Sequence, residues 1–359
     1  MKIRTTVLTL LGAIALNTAV PGDVFAVAHH ASSKKSQSAK AAPKAEKVAK
    51  SSRSGKVKGG KVAKAVEEKP HGRKVAAHSS RHAQHAVAAA SHDGVDHEGN
   101  PQLQSAAFMV ADQATGNVLL EKNSDTVVPI ASITKLMTAM VVLDARLSLN
   151  ETLTITQDDV DTLRNSSSHV PVGTELQRDD MLRLALMSSE NRAAASLGRN
   201  YPGGLPAFVV AMNRKAASLG LHDTRFSDST GLNSANVSSA RDLVKMVSAA
   251  SRYPLIREFT TTANYVVSLN GRQRQFNNTN SLVGSPSWQI GVSKTGYINE
   301  SGKCLVMQAW MLNKPMIIVL LDSFGRFTRV ADAQRVKRWL ESAAMQQKLA
   351  AAGRHGPAT

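Results

Sequence analysis

Three short motifs define the chemistry open to this chain. Ser132 and Lys135 stand three residues apart in the stretch IASITKLMTAMVV. On a helix that spacing puts both side chains on one face, about one turn apart. A serine where a helix begins lies near backbone N–H groups that favour developing negative charge. A lysine in an apolar setting has its ammonium form penalised, so a neutral amine becomes available to take the serine proton. The pair therefore reads as nucleophile and base. Ser189 and Asn191 form Ser-x-Asn between two helical stretches, where a hydroxyl and an amide can point into a cleft. Lys294-Thr295-Gly296 supplies a cation for a substrate carboxylate, a hydroxyl, and a glycine that lets a ligand approach the backbone. Each motif alone is weak: Ser32 and Lys35 repeat the first spacing, and Ser148, Ser234 and Ser268 begin further Ser-x-Asn triplets.

The elements around the motifs give each one a setting. Residues 106–112 and 117–121 read as strands joined by a turn at Ala114-Thr115-Gly116. Residues 132–147 are apolar on nearly every side and predict a buried helix opening at Ser132. Thr174 and Gln177 have the spacing of a capping box for a helix over 174–188. Further helices are expected at 191–199, 206–219 and 239–250. Ser189 thus falls on a tight interhelical loop. Residues 288–297, 303–312 and 315–321 read as three strands with turns at Asn299–Gly302 and Asn313-Lys314, and 328–351 as a closing helix. Strands, helices, strands and a helix predict an α/β (α+β) fold: an antiparallel sheet flanked by helices, with an all-helical lobe inserted.

In this order and these settings the motifs resemble those of serine β-lactamases and penicillin-binding proteins, which pair Ser-x-x-Lys with Ser-Asp-Asn and Lys-Thr-Gly. The chain is most similar to the low-molecular-mass penicillin-binding proteins, D-alanyl-D-alanine carboxypeptidases and endopeptidases, over roughly residues 103–350. The stretches PIASITKLMTAMV, MSSENRAAA and FSDSTGLN support this. The resemblance implies a β-lactamase/transpeptidase-like fold, Ser132 as acylated nucleophile and Lys135 as its general base. It implies that Ser189 relays a proton to the leaving amine and that Asn191 holds the substrate backbone. Lys294, Thr295 and Gly296 would bind the substrate carboxylate, and the N–H groups of Ser132 and Tyr297 would form the oxyanion hole. Glu190, where the family more often has Asp or Gly, is expected to be exposed. The implied substrates are peptidoglycan stem peptides, with β-lactams as inhibitors and no cofactor or metal.

Charge is unevenly spread over the 359 residues. There are 44 Lys+Arg against 27 Asp+Glu, and residues 29–90 alone hold 15 bases and 3 acids. The remainder is close to balanced, which argues against a nucleic-acid-binding protein, since that would present a basic folded face. Lys2 and Arg4, the apolar run 5–16 and Ala26-Val27-Ala28 read as a signal peptide over 1–28, hence a bacterial periplasmic protein, soluble or peripherally attached. Residues 29–98 contain no Leu, Ile, Met, Phe, Tyr or Trp. A tether over 29–100 is therefore expected to be disordered: either a solvated spacer or an attachment to an anionic envelope polymer. The peptidase domain is expected at 101–352, with a sheet lobe at about 101–147 and 285–352, a helical lobe at 148–284, and a disordered tail at 353–359. The single cysteine, Cys304, excludes an intramolecular disulfide and reads as a small buried hydrophobe.

Within the family, no glutamate lies between Glu190 and Glu258 to activate a deacylating water as in class A β-lactamases. From the short stretch beyond Leu321-Asp322-Ser323, neither the extra β-rich domain nor the amphipathic anchor usual in the carboxypeptidases is expected. The expectation is a D-alanyl-D-alanine endopeptidase that cleaves stem-peptide cross-links. A carboxypeptidase and a non-catalytic penicillin-binding wall sensor are the alternatives.

Overall fold

A computed structural model describes residues 94–96, 99–325, 327–342 and 347. The expected signal peptide, nearly all of the tether and the tail lie outside them. In chain order the strands and helices are β1 (Ser105–Asp112), β2 (Val118–Lys122), β3 (Val128–Pro129), α1 (Thr134–Asp144), β4 (Thr152–Thr154), β5 (Glu175–Gln177), α2 (Arg178–Met187), α3 (Asn191–Arg199), α4 (Gly204–Ser218), β6 (Val237–Ser238), α5 (Ala240–Ala250), α6 (Pro254–Thr260), β7 (Asn264–Leu269), β8 (Arg272–Asn277), β9 (Gln289–Ile298), β10 (Gly302–Met311), β11 (Lys314–Ser323) and α7 (Thr328–Glu341). β1, β2 and β9–β11 form one antiparallel sheet in the order β2-β1-β11-β10-β9.

Strands β1, β10 and β11 are apolar at successive positions because the sheet is covered on both faces. Ala107, Met109, Cys304, Val306, Ile317 and Val319 pack into a core shared with α1, α2 and α5. Their neighbours Phe108, Val110, Leu305, Met307, Ile318 and Leu320 point the other way, against Val336, Trp339 and Leu340 of α7. The period of two in a strand thus feeds two cores from one sheet. β9 lies at the sheet's edge, against α6. Ahead of β1, Val95 bridges Pro101, and the Trp339 indole donates to Gly99 O at 2.8 Å. Residues 94–96 and 99–100, inside the segment expected to be tether, are therefore tied to the folded chain.

Two local expectations are corrected. Residues 174–177 do not begin a helix: 175–177 form β5, paired with β4, and α2 starts at Arg178. Gln177 makes no side-chain cap and Thr174 Oγ1 is buried without a partner, so the capping box is not formed. The backbone at 175–177 finds its partners across a ladder instead. In this region it is the Asp159 carboxylate that caps, accepting from Thr156 N–H at 2.8 Å. The helix expected to open at Ser132 is preceded by a 3-10 turn, Ala131–Ile133, and Ser132 makes no cap bond.

Candidate active site

The turn carrying Ser132 is wedged between two glycines. Ala131 has φ +48°, a left-handed conformation that costs a residue with a Cβ about 1–2 kcal/mol. A Cβ on Gly231 would sit 1.9 Å from Ala131 O, and one on Gly296 would sit 2.8 Å from Ile130 O. Only bare backbone on the 228–236 loop and on β9 leaves room for this turn. Ile130 N donates to Asn236 O at 3.0 Å, which pins the turn's start. One turn on, Lys135 enters α1, where both its neighbours and its own side chain are buried.

Lys135 Nζ makes three short contacts: 2.8 Å to Ser132 Oγ, 2.8 Å to Asn191 Oδ1 and 2.7 Å to Thr230 O. Burial lowers its pKa to about 7, while Asp228 and Glu190 oppose that shift. A large fraction of the amine is therefore neutral near pH 7 and can accept the Ser132 hydroxyl hydrogen rather than donate. Asp228 acts mainly through the backbone: its carboxylate accepts from the N–H groups of Thr230, Gly231 and Asn233. That fixes the loop whose carbonyl holds Lys135.

Ser189 follows α2 with φ +63°. Left-handed backbone at a polar residue beside a cleft is strain kept by its surroundings. Its hydroxyl accepts from Lys294 Nζ at 2.9 Å, which also donates to Thr295 O at 3.0 Å. Lys294 is fully buried on the face of β9 that meets the helices. Burial, then repulsion from Lys135 and Arg329, hold its pKa well below the usual lysine value. Thr295 Oγ1 donates to Thr279 Oγ1 at 2.6 Å. The eight site residues expected from sequence thus converge from three separate segments. Six of them, Ser132, Ser189, Asn191, Thr295, Gly296 and Tyr297, line one cleft of about 260 Å³; Lys135 and Lys294 lie beneath it. Among the described residues no cluster of His, Cys, Asp and Glu could hold a metal.

Sequence reasoning missed Thr279 and Arg329, which line the same cleft. Arg329 opens α7 and its guanidinium donates to Gly296 O at 3.3 Å. No motif marks it, because α7 reaches the cleft only through the sheet order. Glu190 overturns the expectation of exposure: it is 5% exposed, and its carboxylate accepts the Ser168 hydroxyl at 2.6 Å and His169 N–H at 3.2 Å. Cys304 is fully buried, and burial pushes its thiol up to about 11, so it is no nucleophile. A larger open hollow of about 490 Å³ beside Arg241 is lined by no buried lysine and no member of the three motifs.

The geometry has close counterparts. The D-alanyl-D-alanine carboxypeptidase family matches residues 95–325. The chain belongs to that family of serine peptidases. It is 51% identical over 243 residues to a D-alanyl-D-alanine endopeptidase of Pseudomonas aeruginosa, covering 67% of this chain and 78% of that protein. It is 47% identical over 254 residues to one of Escherichia coli, covering 70% and 82%. Among solved structures, a Streptomyces DD-transpeptidase superposes with a TM-score of 0.63 at 31% identity, over 67% of this chain and 97% of that one. The fold is the penicillin-binding, transpeptidase-like one. Within this serine peptidase family, Ser132 and Lys135 occupy the head of a buried helix and Lys294 the facing edge strand.

Proposed function

We propose that this protein is a serine D-alanyl-D-alanine endopeptidase that cleaves peptidoglycan stem-peptide cross-links through an acyl-enzyme on Ser132. The observation that carries this is the 2.8 Å contact between Ser132 Oγ and a buried lysine amine whose pKa is brought down to about 7. Neutral Lys135 removes the hydroxyl proton as Oγ attacks the D-alanyl carbonyl carbon. The N–H groups of Ser132 and Tyr297 receive the oxyanion; one such donor is typically worth about 2.7–4 kcal/mol in the transition state. Ser189, bonded to Lys294, relays to the departing amine, as the C–N bond breaks, the proton that Lys135 took from Ser132, so that Lys135 is neutral again before deacylation. Asn191 holds the substrate backbone, and Lys294 and Thr295 hold the carboxylate beside the scissile bond. Water then hydrolyses the ester and Ser132 regains its proton.

Relatives at 51% and 47% identity bearing the endopeptidase name favour that branch. The family's own description favours the carboxypeptidase as second reading. Purified cross-linked muropeptides separate the two: an endopeptidase yields monomers, a carboxypeptidase yields free D-alanine from pentapeptides, and an inert penicillin sensor yields neither. Intact-mass measurement after penicillin treatment tests the nucleophile. One stable adduct is expected on the wild type and none on Ser132→Ala; an adduct on the variant places the nucleophile elsewhere. Export to the periplasm belongs to the same proposal, with the basic tether expected over 29–100 as a spacer beside the anionic envelope.

A further inference from the structure

Glu190 is a buried acid at the cleft for which the reaction above has no use. Both its partners, Ser168 and His169, belong to loop 161–170, which contains no helix or strand. The loop is organised at its start by Asp161, whose carboxylate accepts from the N–H groups of Leu163, Arg164 and Ser166. At its end Arg192 donates to Val170 O at 2.9 Å. Between these points Arg164 Nε donates to Leu232 O on the 228–236 loop, and the loop meets a motif residue at Ser166 Oγ, which accepts from Asn191 Nδ2 at 3.0 Å. With Nδ2 so engaged, Asn191 must present Oδ1 to Lys135, as observed at 2.8 Å. A flipped amide would aim a donor at the lysine instead. A loop without secondary structure keeps a hydroxyl in place only through its anchors, and a buried carboxylate accepting two bonds is a strong one.

We propose that Glu190 is a positioning residue: it clamps loop 161–170 onto the Ser-x-Asn turn so that Ser166 orients the Asn191 amide and Asn191 holds Lys135 against Ser132. The inference rests on the reading of Lys135 as the base for Ser132. It also assigns Ser166 and Ser168 a purpose that no motif announces. The charged groups facing Lys135 are Asp228 from the 228–236 loop, Glu190 from the Ser-x-Asn turn and Lys294 from β9. Glu190 favours the Lys135 ammonium, so its loss shifts the base's titration toward lower pH.

The test is the second-order rate of acylation by a fluorescent penicillin, measured on the full chain from about pH 5 to 9, a range that brackets the base. Glu190→Ala is expected to lower the rate about ten- to a hundredfold, the scale of a misplaced catalytic group. Glu190→Gln keeps an acceptor of the same length and should retain most of the rate. In both variants the rising limb of the pH profile should move to lower pH, which a merely structural role would not produce. Ser168→Ala should slow acylation too, and the double variant Glu190→Ala/Ser168→Ala should lose less than the product of the two single effects. Wild-type rates in Glu190→Ala would overturn the clamp. So would a loss matching only the fraction of unfolded protein while the limb stays in place. Should Glu190→Ala not fold, an unmoved limb in Glu190→Gln together with additive behaviour of Ser168→Ala in that background overturns it equally. A wild-type protein that never acylates on Ser132 would instead remove the reading on which the clamp depends.

Discussion

At the scale of single residues, Lys135 sets the working pH. Its amine is the reactive form and burial holds its pKa at about 7, so acylation should rise as pH climbs through that value. A stopped-flow profile with a limb near the usual lysine value would contradict this. Lys135→Arg keeps a cation but cannot shed its proton; the acylation rate should fall by roughly 10²–10⁴, the usual worth of a positioned base. The nucleophile, base and Lys-Thr-Gly segment were legible from sequence because each is a residue type at a fixed spacing. Glu190 was not. Its burial depends on Ser168 and His169, about twenty residues earlier in an irregular loop, and no local pattern encodes that meeting. Arg329 was hidden for the same reason, since its partner Gly296 lies two strands away in the sheet.

At the scale of elements, the 3-10 turn before α1 is the part least tolerant of change. Gly231 has φ +83° and its missing Cβ leaves the space that Ala131 O occupies. Gly231→Ala should therefore cost about 1–3 kcal/mol from backbone conformation alone, with the steric clash added to that. A thermal melt within a degree of wild type would refute it. Gly296→Ala meets Ile130 O at 2.8 Å and Ser132 N at 3.2 Å, so it should push the nucleophile off its place. Its signature is slowed acylation in a protein whose melting point falls less than that of Gly231→Ala. The five sheet strands and most helices were readable as apolar runs of the right period. What escaped were short or polar pieces: β3 and β6, the β4–β5 ladder, α6, and the exposed β7–β8 hairpin with its run Arg272-Gln273-Arg274-Gln275. Strands of two or three residues carry too few positions for a period. A hairpin exposed on most positions has no buried face to betray it.

At the scale of the whole molecule, strand order brings the site together. β9 and α1 are about 150 residues apart in sequence, yet the antiparallel return of β10 and β11 beside β1 sets β9 against the Ser132 turn. Loop 161–170 and the β9–β10 turn are joined by an ion pair between Arg164 and Glu300 at 2.8 Å, with side chains 20% and 47% exposed. Exposed pairs contribute about 0–1 kcal/mol, so Glu300→Gln should move the melting temperature by no more than about 2–4 °C and less still at high salt. The pair of interior lysines has a different consequence. Lys135 and Lys294 repel one another inside the protein, and among the described residues no carboxylate is in direct contact with either. An anionic ligand arriving over Lys294 offsets that repulsion and makes its ammonium form easier to keep. Capture of such a ligand should thus draw hydrogen ions from solution. In calorimetry of the Ser132→Ala protein with an acyl-D-alanyl-D-alanine, the heat should change with the ionisation enthalpy of the buffer, marking association and proton uptake as one coupled event.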